Sequence, residues 1–327
     1  MKEHQEKRGC VVTGVAGFVG SHLAERLLSL GHEVVGVDNF FSGHPENMAS
    51  FRDHPAFNFY EKSIAEQNLL EDLTEKHPSL NCCFHLAAIV SVPYSMDHED
   101  ETMELNFTAT VRLLQSAEKL QFKRFVFAGS AAEYGNDQRL PLQEAYADEN
   151  TAHASPYGRA KFLGSQKVAS SPLGVALRFF NIYGPRQDPR SPYSGVISRF
   201  LDMALAEERL TVFGDGLQAR DFVYISDVVD AYLLAGGLQD SSFEVCHGIY
   251  NIGTGRSTTI LELAEIIKAL TGNGNAPRFL PERPGDIRFS LASVEAFSKA
   301  AGWRAGTSLR DGLRATLQWY REHRPEE

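Results

Sequence analysis

From Gly9 to about Phe180 the chain alternates short, β-branched and almost wholly apolar runs with longer stretches whose apolar residues recur at helical spacing. The first kind predicts strands over 10–13, 33–37, 57–60, 82–85, 124–128 and 175–179. The second predicts helices over 18–30, 69–76, 101–120, 156–169 and, later, 226–235. Short apolar strands separated by amphipathic helices make a parallel sheet covered on both faces, the doubly wound α/β class. Beyond Asn181 the pattern changes to loop chemistry, Tyr183-Gly184-Pro185-Arg186-Gln187-Asp188-Pro189, then short strands mixed with helices over 196–207, 259–270 and 309–323. The expected organisation is a nucleotide-binding domain over 9–181, with return segments near 221–253. A smaller C-terminal lobe over 182–220 and 254–327 closes on the sheet edge, and 1–8 form a disordered tail.

Composition narrows the choice of function. A chain of 327 residues can bury a large core, and its formal net charge of −10 argues against a nucleic-acid partner. No apolar run approaches the roughly 18 residues of a membrane span. Met1 to Arg8 are polar, with no apolar segment behind them to act as a signal peptide, so a cytoplasmic protein is expected. Cys10, Cys82, Cys83 and Cys246 lack metal-ligand spacing and read as reduced core thiols, and the eleven histidines are scattered; no metal is expected.

The candidate chemistry begins at Thr13-Gly14-Val15-Ala16-Gly17-Phe18-Val19-Gly20, between the first strand and the first helix. Glycines there let a pyrophosphate approach backbone N–H groups and a helix N-terminus, as in Rossmann dinucleotide sites. The spacing is GxxGxxG, and the triplet alone is weak. Asp38, about 20 residues further at the end of the second strand, can accept from a ribose diol and repel a 2′-phosphate, which favours NAD over NADP. Ser155-Pro156-Tyr157-Gly158-Arg159-Ala160-Lys161 reads as a helix start, with Ser155 as N-cap and Pro156 at the first helical position. Tyr157 and Lys161 then share one face, where an ammonium could favour the phenolate. A Tyr–Lys pair at this spacing is usually a surface feature; the upstream loop is what gives it meaning. Ser130, at the end of another strand, can share a hydrogen bond with a substrate hydroxyl.

Taken together these segments resemble the extended short-chain dehydrogenases/reductases, specifically the NAD-dependent nucleotide-sugar 4-epimerases. The likeness runs from Gly9 to about Tyr320 through the glycine loop, Val37-Asp38-Asn39-Phe40, His85-Leu86-Ala87-Ala88, Ser130 before Tyr134-Gly135, and Tyr157 with Lys161. It continues in Phe180-Asn181-Ile182-Tyr183-Gly184-Pro185-Arg186, Gly214-Asp215-Gly216 leading to Arg220-Asp221-Phe222, Tyr250-Asn251-Ile252-Gly253 and Arg283-Pro284-Gly285-Asp286. The resemblance implies NAD held by Gly14, Gly17, Phe18, Val19, Gly20, Asp38, Asn39, Ser63, Ile64, Leu86, Ala87, Ala88 and Asn106, with Tyr157 and Lys161. The usual acidic residue at the adenine contact is replaced by Lys62-Ser63. It also implies a UDP-sugar held by Ser130, Asn181, Val196, Arg220, Arg283, Asp286 and Ser290, the guanidinium forks suiting a diphosphate. Catalysis falls to Ser130, Tyr157 and Lys161. A homodimer is implied through helices 101–120 and 156–169, where Gly158 and Gly164 permit close approach of another helix.

Departures from the family bear on the reaction. Dehydratases of this family carry Asp-Glu directly after the active-site threonine, and decarboxylases an acid two places after it. Here Ser130 is followed by Ala131 and Ala132, and Glu133 comes one position late. C4 epimerisation through a 4-keto sugar is therefore expected. Ser290, four residues after Asp286, stands where similar enzymes face the hexose 2-substituent; its small size leaves room for an N-acetyl group and points to UDP-GlcNAc/UDP-GalNAc, with UDP-Glc/UDP-Gal open as well. A nucleotide-sugar reductase or dehydratase, and a non-catalytic dinucleotide-binding regulator, are the alternatives.

Overall fold

The computed structural model describes residues 7–189, 195–239, 244–283 and 287–323. The six strands read from the sequence form as β1 (Gly9–Thr13), β2 (Glu33–Asp38), β3 (Phe57–Glu61), β4 (Leu80–His85), β5 (Arg124–Ser130) and β6 (Gly174–Phe179), and the chain returns to add β7 (Gly248–Ile252). They make one seven-stranded sheet in the order β7-β6-β5-β4-β1-β2-β3, every pairing parallel. Winding reverses between β1 and β4, so the loops leaving their carboxyl ends diverge and open a cleft.

Helices follow the chain as α1 (Phe18–Ser29), α2 (Leu69–Lys76), α3 (Val92–Asp97), α4 (Glu99–Met103), α5 (Ala109–Lys119), α6 (Pro156–Ala169), α7 (Val196–Leu205), α8 (Ile225–Ala235), α9 (Ile260–Thr271), α10 (Glu295–Ala301) and α11 (Leu309–His323). Strand alternation divides the sheet's side chains between two cores. Cys10, Val12, Cys82, Phe84 and Val126 pack beneath Leu23 and Leu27 of α1 and Val228 and Tyr232 of α8. Val11, Val35, Cys83, Phe125 and Phe127 face the other way, onto Leu70 of α2, Leu113 of α5 and Val168 of α6. Burial on both faces is why the strands read as continuous apolar runs. Three cysteines sit in these cores; Cys246 is exposed, so the expectation of a core thiol fails there.

After Phe179 the chain leaves the sheet. Asn181–Tyr183 pairs in parallel with Phe222–Tyr224, and Thr211–Phe213 with Arg278–Leu280. Around them α7, α9 and α11 close a separate core built on Phe200, Leu201, Leu263, Ile267, Leu313 and Leu317. Arg8, counted in the tail, is anchored: its N–H donates to His32 Nδ1 (3.2 Å) and its guanidinium to Gly236 O (3.2 Å). Residues 1–6 lie outside the described residues. Among the described residues no helix is long and apolar enough to cross a membrane.

The single helix expected over 101–120 is instead α4, a π-helical turn over Glu104–Thr108, and α5. Such turns add a residue to the helix and re-aim side chains. Here the turn carries buried Asn106, whose Oδ1 accepts from Ile89 N–H and whose Nδ2 donates to Ile89 O, both at 2.8 Å. Periodicity marks Asn106 as a polar residue in a helix; only the extra residue turns it onto the loop after β4. Asn106→Ala strands two buried backbone groups, each worth about 1–3 kcal/mol. Urea unfolding should therefore show a loss of about 2–6 kcal/mol, and a loss under about 1 kcal/mol would mean the loop finds other partners.

Candidate active site

Two clefts flank the carboxyl edge of the sheet. The first, about 300 Å³, lies at the winding reversal and gathers twelve of the residues expected to hold a dinucleotide: Gly14, Gly17, Phe18, Val19, Gly20, Asp38, Asn39, Ser63, Ile64, Leu86, Ala87 and Ala88. The loop chemistry fits an anion. α1 starts at Gly17 without a side-chain cap, so its first-turn amides are left to a ligand. Gly14 has φ +73°, and a Cβ on Gly20 would lie 2.0 Å from Gly14 O, so the turn and helix close only over bare backbone. Asp38 Oδ2 accepts from Ala16 N–H (2.9 Å) and Oδ1 from Phe40 N–H (2.8 Å); burial pushes its carboxyl up and these amides oppose the shift. A carboxylate at that place fits a ribose diol and repels an added phosphate.

The cleft walls are fixed from beneath by a hydrogen-bond chain whose proton positions follow from its ends. Thr110 Oγ1 donates to Asn106 O (3.0 Å), so it accepts from His85 Nε2–H (2.9 Å). His85 Nδ1 then accepts from Thr13 Oγ1–H (2.7 Å), leaving Thr13 Oγ1 to accept from Leu86 N–H (3.1 Å) and Ala87 N–H (3.2 Å). Burial lowers the His85 pKa to about 3, with Lys161 adding to it, so the imidazole stays neutral. Asn106, expected at the cofactor, is absent from the wall because both ends of its amide are occupied by Ile89.

Arg186, Gln187 and Asp188, which the sequence placed in a loop and, for Arg186, in a family motif but not at the cofactor, reach this cleft from the loop after Tyr183. Four side chains lace that loop down: His22 Nε2–H donates to Pro185 O (3.0 Å), Arg186 pairs with Glu25 (2.7 Å), His44 lies 3.6 Å from Asp188, and the Tyr320 hydroxyl donates to Gln187 O. The signal was the charged sequence of a loop otherwise read as punctuation.

One strand over, β5 and α6 bring Ser130, Tyr157 and Lys161 together, outside the wall of the first cleft. Ser155 caps α6, accepting from Gly158 N–H (3.1 Å), as the sequence predicts. Lys161 is buried, donates to Ala128 O (2.9 Å) and lies 4.8 Å from the centre of the Phe127 ring. Burial brings its pKa down to about 8, opposed by Glu133. Burial also raises the Tyr157 phenol; a hydrogen bond with Ser130 opposes this and the Glu133 charge adds to it. The expectation that Lys161 draws the phenol down is thus corrected: the ammonium is committed to a carbonyl and a ring, and desolvation dominates. Gly158 and Gly164 do not offer a bare face to another subunit either. Cβ atoms there would lie 2.7 Å from Ala132 O and 2.8 Å from the Phe127 ring, so both glycines serve packing within the chain.

The second cleft, about 280 Å³, lies in the C-terminal lobe and joins Asn181, Val196, Arg220 and Arg283. Arg220 donates to Ala219 O (2.9 Å), and the Arg283 guanidinium lies 3.8 Å from the Phe213 ring centre. Arg199, which the motifs did not include, supplies a third guanidinium from one turn inside α7. Such a set, beside an aromatic ring, suits a phosphorylated, ring-bearing ligand. Ser290 is buried behind Arg220, its N–H donating to Ala219 O (3.1 Å), and is not in the cleft wall. Asp286 lies outside the described residues.

Residues 10–253 match the model of the NAD dependent epimerase/dehydratase family. The chain belongs to that family. Its cofactor is NAD, in agreement with the uncapped helix and Asp38 of the first cleft. The chain is 35% identical to a UDP-glucose 4-epimerase of Mycolicibacterium smegmatis over 95% of its length and 98% of the relative's. It is 34% identical to a UDP-N-acetyl-alpha-D-glucosaminuronate decarboxylase of Bacillus cytotoxicus over 97% of its length and 98% of the relative's. Among solved structures it resembles the UDP-N-acetylglucosamine 4-epimerase of Methanobrevibacter ruminantium in complex with UDP-N-acetylmuramic acid. That likeness has a TM-score of 0.87 and 32% identity, covering 97% of this chain and 99% of that one.

The depressed Lys161 pKa fixes the sign of a pH effect. Between about 8 and the ordinary 10.5 the unfolded chain holds the proton and the folded chain does not, so stability rises with pH across that window, and below it the full cost of the buried ammonium is felt. Thermal melts should show wild type gaining on Lys161→Met as pH rises from about 8 towards 10. Parallel curves would place the ammonium in water.

Proposed function

We propose that the protein is a UDP-sugar 4-epimerase that interconverts UDP-GlcNAc and UDP-GalNAc and also accepts UDP-Glc and UDP-Gal. The observation that carries this reading is the placement of Ser130, at the end of β5, beside Tyr157, in the first turn of α6, with no free acid next to them. The glycine loop, Asp38 and the Leu86–Ala88 backbone would hold NAD, with Lys161 beside its ribose. Bound there, NAD would supply the acceptor, and later the donor, of a hydride at the sugar C4. Tyr157 takes the proton of the 4-hydroxyl, and Ser130 donates a hydrogen bond to the oxygen as it becomes a ketone. Arg220, Arg283 and Arg199 grip the diphosphate while the hexose turns over. Hydride would then return to the opposite face of C4 while Tyr157 gives its proton back to the oxygen, so C4 is inverted and no net oxidation occurs. Because burial keeps the Tyr157 phenol protonated in the protein alone, its ionisation relies on the positive charge that NAD carries in its oxidised form.

The similarity to a decarboxylase makes that activity the reading to weigh against epimerisation. Against it, Ala131 and Ala132 follow Ser130, and Glu133 is wholly buried and paired to Arg178. None of the three positions offers a proton to the carbon from which carbon dioxide would leave. A homodimer remains part of this reading on the family resemblance; exposed Val92 and Met96 on α3, beside α6, are apolar side chains such an interface would cover.

Purified protein, without added NAD, should convert UDP-GlcNAc and UDP-glucose separately to their C4-inverted products. Tyr157→Phe should lose about 100-fold or more in kcat while keeping bound NAD and UDP-sugar affinity; near-normal turnover would refute the assignment. Ser290→Tyr, at a buried position outside the cleft wall and therefore compared only in protein with an unchanged melting temperature, should remove activity on the N-acetylated pair and spare UDP-glucose. Equal loss on both pairs would detach Ser290 from the 2-substituent.

A further inference from the structure

Glu133 takes no part in those steps, yet its carboxylate is among the most elaborately held groups in the molecule. Oε1 accepts from Ser130 N–H (2.9 Å) and from Ser165 Oγ–H (2.8 Å), and Oε2 accepts from Arg178 Nε (2.5 Å). Neither side chain of the Glu133–Arg178 pair has any solvent exposure. Burial pushes the Glu133 carboxyl up, with Arg178 and the other two donors opposing; three donors on an acceptor-only group describe a carboxylate. Arg178 is itself tied to Glu144 O (2.7 Å), and the adjoining Tyr134 hydroxyl donates to Asn251 Oδ1 (2.6 Å), so the pair spans β5, β6 and β7. Gly129 leaves it room: a Cβ there would lie 2.8 Å from Glu133 Oε1.

The arrangement is a capping box, Ser130-Ala131-Ala132-Glu133, on a single 3₁₀ turn. Ser130 Oγ accepts from Ala132 N–H (3.1 Å), which uses one lone pair and leaves its O–H to donate elsewhere, while Glu133 supplies the other half by accepting from Ser130 N–H. Resting on the epimerase reading above, we infer that Glu133 is a positioning residue, whose grip on the Ser130 N–H holds the Ser130 hydroxyl in the orientation that donates to the Tyr157 oxygen. The same acid that cannot act on a substrate, because Arg178 and burial sequester it, sets the geometry of the residue that does.

The single change Glu133→Gln leaves Arg178 as a buried charge without its anion, which can itself unfold a chain. Two double variants avoid this. Glu133→Leu/Arg178→Met and Glu133→Gln/Arg178→Met both lack the ion pair, but only the second keeps an oxygen that can accept from Ser130 N–H. The charged and titratable groups around Tyr157 are Lys161 on its own helix, Glu133 behind Ser130, and Tyr232 of α8. The two variants differ only at position 133. The Leu variant should lose about 10-fold or more in kcat with KM and bound NAD little changed, and the Gln variant should recover most of that loss. In ultraviolet difference titrations, each against its own Tyr157→Phe background, Tyr157 should titrate at higher pH in the Leu variant, where Ser130 no longer donates, than in the Gln variant. Equal kcat and coincident titrations in the two variants would overturn the inference and leave the pair a matter of folding alone. Wild-type protein in the same series separates the two questions. Absence of turnover on UDP-GlcNAc and UDP-glucose sinks the epimerase reading, and the titration contrast still decides the role of Glu133.

Discussion

The hydrogen bond between Thr13 and His85 joins the ends of the two strands between which the sheet changes its direction of winding. The glycine loop and the Leu86–Ala88 backbone, which face each other across the first cleft, leave from those two ends. If β1 and β4 slipped by one residue, the glycine loop and the Leu86–Ala88 backbone would no longer face each other, and each strand's side chains would change core. The imidazole makes that register costly to lose, because it is buried, neutral and bonded at both nitrogens, and any shift strands a polar atom in an apolar interior. The Asn106 clamp on Ile89 carries the same constraint along the loop.

Electrostatics at the reactive residues follow from where charge is allowed to be buried. Lys161, Glu133 and Arg178 all lie within the interior near Ser130 and Tyr157, and only the last two neutralise each other by contact. Lys161 has only a carbonyl and an aromatic face for its ammonium, and burial outweighs both in lowering its pKa. Burial likewise favours the neutral phenol of Tyr157. In the second lobe the three guanidiniums of the cleft line solvent-accessible space, as binding of a charged ligand requires.

Much of this was legible in the chain. Strand ends agreed closely because runs buried on both faces are short, apolar and bounded by glycine or polar residues, and the first cleft assembled from motif residues adjacent in the sequence. What escaped depended on contacts between distant segments. The π-helical turn at Asn106 has no periodic signature, since one added residue merely shifts the phase of an otherwise regular helix. Lys161 looked like a partner for Tyr157 because helical spacing reports a shared face and not where a flexible ammonium finds its acceptor. Gly158 and Gly164 announced a close approach correctly but not which surface approaches. Glu133 looked displaced by one position; its partner Arg178 is 45 residues away and becomes a neighbour only when β5 and β6 align.

The laced loop from Pro185 to Asp188 has a kinetic consequence. Its anchors come from α1, from the turn after β2 and from the C-terminal helix α11, parts of the chain that share no single hinge. Lifting it away from the cleft would require several independent fastenings to let go, which would slow the exchange of a dinucleotide held against it. An enzyme whose coenzyme ends each cycle in the state in which it began has no need to trade it with the medium, and a slow gate of this kind suits that economy.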